Sequence, residues 1–214
     1  MSNLLDALTD NFGEIIEELN KEILNFRIVR FWQKINPSLT LTQLRDAYWQ
    51  DAKSRSEFGV DLGVEFGKMF EMFLPFFLNE KGYACEPCFN SSGDMKFEGE
   101  TKEIKTGTGG NIQGSTHSTG KETKPISMVQ VLWEMNKETP LSELLQTKAF
   151  IKAINICVVD SISIERKGEH TDNNSRTTFS FTNKNFDALS DGLVFGRCRK
   201  GTKNVIFEKT QIVY

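Results

Sequence analysis

Apolar residues recur at steps of three and four along the first third of the chain, with acidic residues between them. This spacing places the apolar residues on one helix face, so it predicts an amphipathic helical arm. The positions that carry the pattern are Leu4, Leu5, Leu8, Phe12, Ile15, Ile16, Leu19, Ile23, Phe26 and Val29. The arm is predicted to end at Asn36-Pro37-Ser38, because proline biases the residue before it away from helical backbone angles.

Two further helices are predicted before the pattern changes. Thr40 or Thr42 can cap the second helix through its hydroxyl oxygen. The third is predicted from about Glu57 to Glu80, and it ends where Gly82 follows. Pro75 is predicted to kink this helix, because it removes a backbone donor from the helix interior.

From Tyr83 onward the chain has the shorter, alternating texture of strands. Strands are predicted at Ala84–Phe89, Met95–Phe97, Glu103–Thr106, Ile151–Ile164, Thr177–Thr182, Leu193–Arg199, Val205–Glu208 and Gln211–Tyr214. Residues 107–119 are rich in Gly, Ser and Thr and are predicted to form a loop. Residues 126–149 are predicted to be helical overall, with a new turn beginning at Pro140.

This order predicts an α/β fold of the α+β type, in which helices flank a mixed central sheet. The 214 residues are expected to form a single domain. Residues 1–80 would form the helical arm and the first core helices, and residues 81–214 would form the sheet.

Composition narrows the class of protein. No apolar stretch is long enough to span a membrane, and no basic segment followed by an apolar run opens the chain. Four cysteines are too few for a disulfide scaffold, so a reduced, cytoplasmic protein is expected. Cys85-x-x-Cys88 could be half of a zinc site, but buried free cysteines are the favoured interpretation.

Charge is distributed unevenly. The net charge of −3 argues against a protein that coats DNA regardless of sequence. Residues 161–214 nevertheless hold nine Lys and Arg against six Asp and Glu, a local excess of basic residues. Such an excess permits a local groove for a polyanion. Candidate phosphate contacts are Arg166, Lys167, Arg197, Arg199, Lys200 and Lys203.

The segment Gly93 to Lys105 holds the candidate chemistry. If Glu103–Lys105 is a strand, Glu103 and Lys105 lie on one face and Ile104 lies on the other, in the core. Asp94, at the start of the adjoining strand, can then lie beside them. Two carboxylates and the Ile104 carbonyl are hard oxygen ligands suited to Mg²⁺. Lys105 could orient a water or stabilise charge on a phosphate, so the group suits phosphodiester hydrolysis.

The alternative is a solvated hairpin whose charges are incidental. Glu100-Thr101-Lys102 has the same spacing of charges. Glu103-Ile104-Lys105 is preferred because its apolar middle residue is what a strand buried on one side requires.

The order of these segments resembles the PD-(D/E)XK nuclease superfamily, which includes most type II restriction endonucleases. The resemblance rests on Gly67-Lys68-Met69-Phe70-Glu71, the apolar helix after it, and the strands with Asp94 and Glu103-Ile104-Lys105. It implies that a helix glutamate approaches the metal site: Glu71 matches best, and Glu65 is the alternative. For either, an exposed helix glutamate without a catalytic role remains open. Gly93 stands where the family usually has proline.

Ser115-Thr116-His117, shortly after the Glu-x-Lys, resembles the PvuII-like branch of restriction enzymes. That resemblance implies that side chains of this region read bases in the major groove. The candidates are Asn111, Gln113, Ser115, Thr116, His117 and Lys121. A flexible polar loop is the alternative.

Together the resemblances imply a sequence-specific, Mg²⁺-dependent endonuclease for double-stranded DNA. A homodimer is expected, because two-fold symmetry suits cutting both strands of a symmetric site, with residues 3–80 as its interface. No nucleotide cofactor is expected, since the glycines after Lys105 lack a Gly-Lys-Ser/Thr ending. The alternatives are a repair or junction nuclease of the same fold, and a non-catalytic module that binds DNA or protein.

Overall fold

The computed structural model describes residues 4–88, 93–108, 111–117, 126–165, 176–182, 193–198 and 201–213. The helices within these ranges are α1 (Leu4–Asp10), α2 (Phe12–Ile23), α3 (Arg27–Ile35), α4 (Leu41–Tyr48), α5 (Ala52–Glu80) and α6 (Leu141–Thr147). The strands are β1 (Cys85–Pro87), β2 (Met95–Phe97), β3 (Glu100–Thr108), β4 (Asn111–His117), β5 (Ile126–Met135), β6 (Ile151–Glu165), β7 (Arg176–Thr182), β8 (Leu193–Cys198) and β9 (Gly201–Val213). Helices and a mixed sheet confirm the predicted α+β class.

The helical arm folds as its apolar pattern predicts. Its helices α1, α2 and α3 bury most of the residues that recur at steps of three and four, including Leu8, Ile15 and Leu19, while Leu5, Phe12 and Ile16 are partly buried. Thr40 caps α4: its hydroxyl accepts from the backbone N–H of Gln43, whose side chain accepts in return from the N–H of Thr40. None of the described helices is both long and apolar enough to cross a membrane.

Helix α5 is longer than predicted. It begins at Ala52 rather than near Glu57, because the Asp51 side chain accepts a hydrogen bond from the backbone N–H of Ser54 and caps the helix there. It ends at Glu80, as predicted, and Gly82 follows in a left-handed conformation with a φ of 88°. Pro75 lies inside the helix and does not end it.

A seven-stranded sheet forms the centre of the fold, in the order β1-β2-β3-β5-β6-β9-β8. Strands β1, β2 and β3 are antiparallel neighbours, and β5 lies parallel to β3. Strands β6, β9 and β8 continue antiparallel from β5. Helix α5 packs against this sheet, where the ring of Phe66 stacks on Trp133 with 3.7 Å between centroids.

The predicted helix at 126–149 is wrong over its first half. Residues 126–135 form β5, between β3 and β6. Both faces of β5 are buried, so residues 128–133 form a continuous buried run without the alternation that marks a strand. The second half is confirmed, since α6 follows Pro140, its N-cap residue.

The predicted loop at 107–119 is also wrong in part. Residues 111–117 form β4, which pairs antiparallel with β7 from Asn111↔Thr182 to His117↔Arg176. These two strands form a sheet of their own. The two strands are about 65 positions apart in the sequence. A polar segment contains no local pattern that predicts such a distant partner.

Candidate active site

The site is built where β2 ends beside β3. Strand β2 pairs with β3 only at Glu100–Lys102, so the next residues of β3 have no strand on that side. On that side the backbone N–H of Ile104 donates a hydrogen bond to Asp94 Oδ2, at 2.7 Å, instead of to a neighbouring strand. The backbone of Asp94 is itself fixed, because its N–H donates to the carbonyl of Lys102 at 3.0 Å.

Gly93 permits this close approach of the two strands. A Cβ at Gly93 would lie 2.3 Å from the Thr101 Cγ2 atom and 3.0 Å from the Lys102 carbonyl oxygen. Its φ of +159° is far from the value near −65° that proline requires. These facts give a physical reason for glycine at the position where the resembling family usually has proline.

Replacing Gly93 with alanine is expected to lower the free energy of unfolding by about 1–3 kcal/mol, the usual cost of overpacking. The added methyl must push apart the contact that fixes Asp94. Urea denaturation without metal measures the loss. Gly13→Ala is the control, since a Cβ there meets nothing within 4 Å and should not destabilise. Equal stability of Gly93→Ala and wild type would contradict this account of the turn.

The Lys105 ammonium lies among the three predicted metal ligands. Its Nζ is 2.6 Å from Glu103 Oε2, 2.9 Å from the Ile104 carbonyl oxygen and 3.4 Å from Asp94 Oδ2. We call these three oxygens and the ammonium the β3 cluster. The side chains of Asp94, Glu103 and Lys105 are each about one quarter exposed. Three oxygens from separate residues therefore converge on one cation at a position open to solvent.

The charges of the β3 cluster support each other. Burial lowers the pKa of Lys105, but the hydrogen bond that Lys105 donates to Glu103 and the negative charges of Glu103 and Asp94 outweigh burial, so the net shift is upward. Lys105 is thus an ammonium at neutral pH. It can supply positive charge or orient a water, but it does not begin as a base.

Glu71 approaches the β3 cluster from α5. Burial raises the pKa of Glu71, and the negative charges of Asp94 and Glu103 raise it further. The positive charges of Lys105 and Lys68 act in the opposite direction, and the net shift is upward. Glu65 lies elsewhere: it accepts from the backbone N–H of Arg27 at 2.9 Å, beside α3. Of the two predicted glutamates, the fold brings Glu71 to the cluster.

Glu71→Gln is expected to stabilise the protein at neutral pH when metal is removed with a chelator. A raised pKa means that the folded protein holds the proton at pH values where the unfolded chain has lost it. Stability therefore falls as pH rises from the ordinary value of 4.5 through the raised one. The variant avoids this loss, so its advantage should vanish near pH 4.

Thermal unfolding from pH 4 to pH 8 in excess chelator measures this effect. Glu57→Gln, an exposed glutamate on the same helix, is the control and should follow the pH dependence of wild type. If Glu71→Gln also follows wild type across the range, neither burial nor the carboxylates of the β3 cluster raise the pKa of Glu71.

The donor set fits a hard divalent cation. Two carboxylates and a backbone carbonyl are the oxygen ligands that Mg²⁺ prefers, with water completing the shell. Within the described ranges no three His, Cys, Asp or Glu side chains converge as a metal-binding group. The β3 cluster has two carboxylates with a carbonyl, and Glu71 is the third acidic group in its neighbourhood.

Sequence reasoning missed Gln130. It lies opposite Lys105 in the parallel pairing of β5 with β3, and it is fully buried. Its Nε2 donates to Met128 Sδ at 3.0 Å, while its Oε1 has no hydrogen-bond partner among the described residues. A buried polar side chain beside an ion cluster indicates a functional position. The predicted helix at 126–149 placed Gln130 in a helix, so the sequence did not indicate that it lies beside Lys105.

The predicted base-reading positions lie on β4, apart from Lys121, which is outside the described residues. What the resemblance predicted as a recognition loop is the edge of a two-stranded sheet.

The predicted phosphate contacts are spread over the C-terminal part. Arg197 lies on β8, the edge strand opposite β1, and Lys203 lies on β9 next to it, so both are at least three strands from β3. The remaining candidates, Arg166, Lys167, Arg199 and Lys200, lie outside the described residues.

Of the two cysteines near the site, Cys85 is free and Cys88 is half-buried. Cys85 is buried, and burial raises its pKa to about 11. It is a neutral thiol packed in the core, as the favoured interpretation expects.

The sequence matches no known family model, no curated protein and no solved structure.

Proposed function

We propose that the chain is a Mg²⁺-dependent endonuclease that cuts double-stranded DNA at a short specific sequence, as type II restriction enzymes do. The observation that carries the proposal is the β3 cluster. The oxygens of Asp94, Glu103 and Ile104 surround one cation, the Lys105 ammonium, at distances of 2.6–3.4 Å.

The surrounding elements support the same proposal. A helix with Glu71 precedes a strand hairpin, and the hairpin carries Asp94 before one strand and Glu103-Ile104-Lys105 on the next. This is the order of the PD-(D/E)XK resemblance. The parallel strand β5 extends the hairpin, and α5 flanks the sheet.

In this proposal Asp94, Glu103 and the Ile104 carbonyl hold Mg²⁺. A bound Mg²⁺ would supply positive charge next to the scissile phosphate and would lower the pKa of a water. The Lys105 ammonium moves off these oxygens and stays close, because its stem is fixed on β3. There it orients the attacking water and stabilises the negative charge of the transition state. Glu71 supports the metal shell from α5.

Base reading is assigned to β4 and the segment after it, with Asn111, Gln113, Ser115, Thr116, His117 and Lys121 as candidates. Amide side chains suit adenine edges, and lysine suits guanine or phosphate. A paired strand gives these positions a fixed backbone, which favours sequence discrimination over a flexible loop.

A homodimer is the proposed assembly, with the helical arm as its interface. Large apolar residues are exposed on α3, α4 and α5, among them Ile35, Tyr48, Met72 and Phe76. Such residues favour a protein contact when they are grouped. Sedimentation equilibrium at micromolar concentration that gives the monomer mass of 24.3 kDa would contradict the dimer.

Mapping the cut ends tests the specificity of the proposed enzyme. Ends that share one short sequence are expected for wild type. Asn111→Ala, Gln113→Ala and His117→Ala are expected to weaken binding to that sequence by about 5- to 100-fold each, while binding to unrelated DNA stays unchanged.

Other outcomes separate the alternatives. Equal losses on specific and unrelated DNA would exclude a base-reading role for β4. Scattered ends, or cutting only at junctions, would favour a repair or junction nuclease. DNA binding that is indifferent to Mg²⁺ and to the loss of Lys105 would favour a non-catalytic module.

A further inference from the structure

A groove of about 660 Å³ lies between α5 and the second half of β3. One wall is the α5 face that carries Gly59, Gly63 and Gly67, and Lys68 and Lys137 also line it. Glu71 and Lys105 line it as well. The groove is therefore continuous with the β3 cluster. We call it the α5 groove.

The ionised side chains of the α5 groove are mostly basic. Lys68, Lys105 and Lys137 face a single acidic residue, Glu71. Within the described residues the ammonium groups of Lys68 and Lys137 have neither a hydrogen bond nor an ion pair, whereas Lys105 is held in the β3 cluster. The positive charge of these two ammonium groups, beside the proposed metal site, suits an anionic ligand.

The glycines of α5 differ in what the fold requires of them. At Gly67 a Cβ would lie 2.9 Å from Thr106 Oγ1, so close packing against β3 explains that glycine. At Gly59 a Cβ would meet nothing within 4 Å. Glycine destabilises a helix interior relative to alanine, and internal packing gives no reason for it at Gly59. Gly59 thus leaves an opening in the groove wall, next to the Ser56, Val60 and Val64 side chains that also line it, at a cost to the helix.

We propose that the α5 groove holds the sugar-phosphate strand that flanks the phosphodiester being cut. Lys68 and Lys137 contact its phosphates, and the bare α5 face at Gly59 admits the backbone closely. The inference rests on the proposed nuclease function and extends it, because it assigns the path of the substrate strand to α5 rather than to the basic C-terminal part.

The salt dependence of DNA binding tests the lysines. Binding of a duplex to full-length Lys68→Ala/Lys137→Ala protein is measured by fluorescence anisotropy, in excess chelator, at several NaCl concentrations. The slope of log K against log[salt] is expected to become shallower by about 1.8, since each lost phosphate contact removes about 0.9. Affinity should fall by at least about tenfold at low salt.

Lys21→Ala/Lys152→Ala is the matched control. It removes the same charge from exposed lysines outside the groove and should keep the wild-type slope. A slope that changes equally in both double variants would overturn the proposal, because general charge would then explain the binding. A wild-type slope in Lys68→Ala/Lys137→Ala would overturn it as well.

A second variant tests the open helix face. Gly59→Gln is expected to keep or raise Tm and to weaken duplex binding at least about fivefold, because its side chain enters the groove. Gly13→Gln is the control, since Gly13 is also a helical glycine with free space around it. Full DNA affinity in a folded Gly59→Gln protein would overturn the proposed path.

The tests of the strand path and the test of nuclease activity can fail independently. If wild type cuts DNA but the groove variants bind like wild type, only the strand path is wrong. If wild type cuts no DNA in Mg²⁺, the nuclease function fails, whatever the binding slopes are.

Discussion

Lys105→Ala protein is expected to lose DNA hydrolysis by a factor of about 10²–10³, the usual cost of removing one group that stabilises transition-state charge. The same protein should bind Mg²⁺ more tightly than wild type, by roughly tenfold or more. The ammonium lies 2.6 Å from Glu103 Oε2 and 2.9 Å from the Ile104 carbonyl oxygen, so it competes with any cation for those oxygens. Activity and metal affinity should therefore move in opposite directions.

Single-turnover cleavage and isothermal titration with Mg²⁺ measure the two effects. Lys96→Ala is the matched control: Lys96 lies on β2 of the same hairpin, is 44% exposed and pairs with Glu86 outside the cluster. It should change neither quantity appreciably. Weaker Mg²⁺ binding by Lys105→Ala would contradict the geometry argued for the cluster, and retained hydrolysis would contradict the catalytic role of Lys105.

Asp94→Asn is expected to abolish Mg²⁺-dependent hydrolysis and to weaken Mg²⁺ binding by more than about 100-fold, since losing an outer-shell partner alone costs roughly 10–100-fold. The amide keeps the shape of Asp94, and its oxygen can still accept from the Ile104 N–H, which Asp94 Oδ2 now does at 2.7 Å. What it loses is the negative charge that a hard cation requires.

Asp46→Asn is a control on the surface, because Asp46 is about half exposed and pairs with Arg45 and Arg55, away from the β3 cluster. Thermal unfolding in chelator should show that Asp94→Asn is folded. A folded Asp94→Asn protein with wild-type Mg²⁺ affinity would show that the cation binds elsewhere.

Sequence alone could predict the helices and strands that have one apolar, buried face and one polar, exposed face. The helical arm shows its apolar stripe, and Glu103-Ile104-Lys105 shows polar, apolar and polar positions in turn. Ile104 is fully buried while its neighbours are one quarter exposed, which is the arrangement the alternation predicts. The pairing of Glu103 with Lys105 and the position of Ile104 in the core therefore followed from the residues.

The central strand β5 could not be predicted in this way. A strand between two others has two buried faces, and both Val129 and Gln130 are fully inaccessible. Its sequence has apolar residues at neighbouring positions, which also fits a buried helix. The error had a consequence for the site, because Gln130 lies opposite Lys105 only when β5 is a strand.

The details of the site depend on contacts that are distant in sequence. Glu65 and Glu71 are both glutamates on α5, and only the packing of α5 against α3 and β3 separates them. Gly93 departs from the family pattern, and the structure gives a reason for glycine there: a Cβ would be too close to Thr101 and Lys102 across the turn. Likewise, the polar segment that forms β4 becomes a strand through pairing with β7.

The most direct test of the central claim is cleavage of plasmid and phage DNA by wild type and Lys105→Ala side by side, each with Mg²⁺ and with excess chelator. We expect cleavage products with wild type in Mg²⁺ and intact DNA in the other three lanes. Intact DNA in all lanes, across unmethylated and methylated substrates, would contradict a nuclease centred on Asp94, Glu103 and Lys105. Equal cleavage by both proteins would contradict it too.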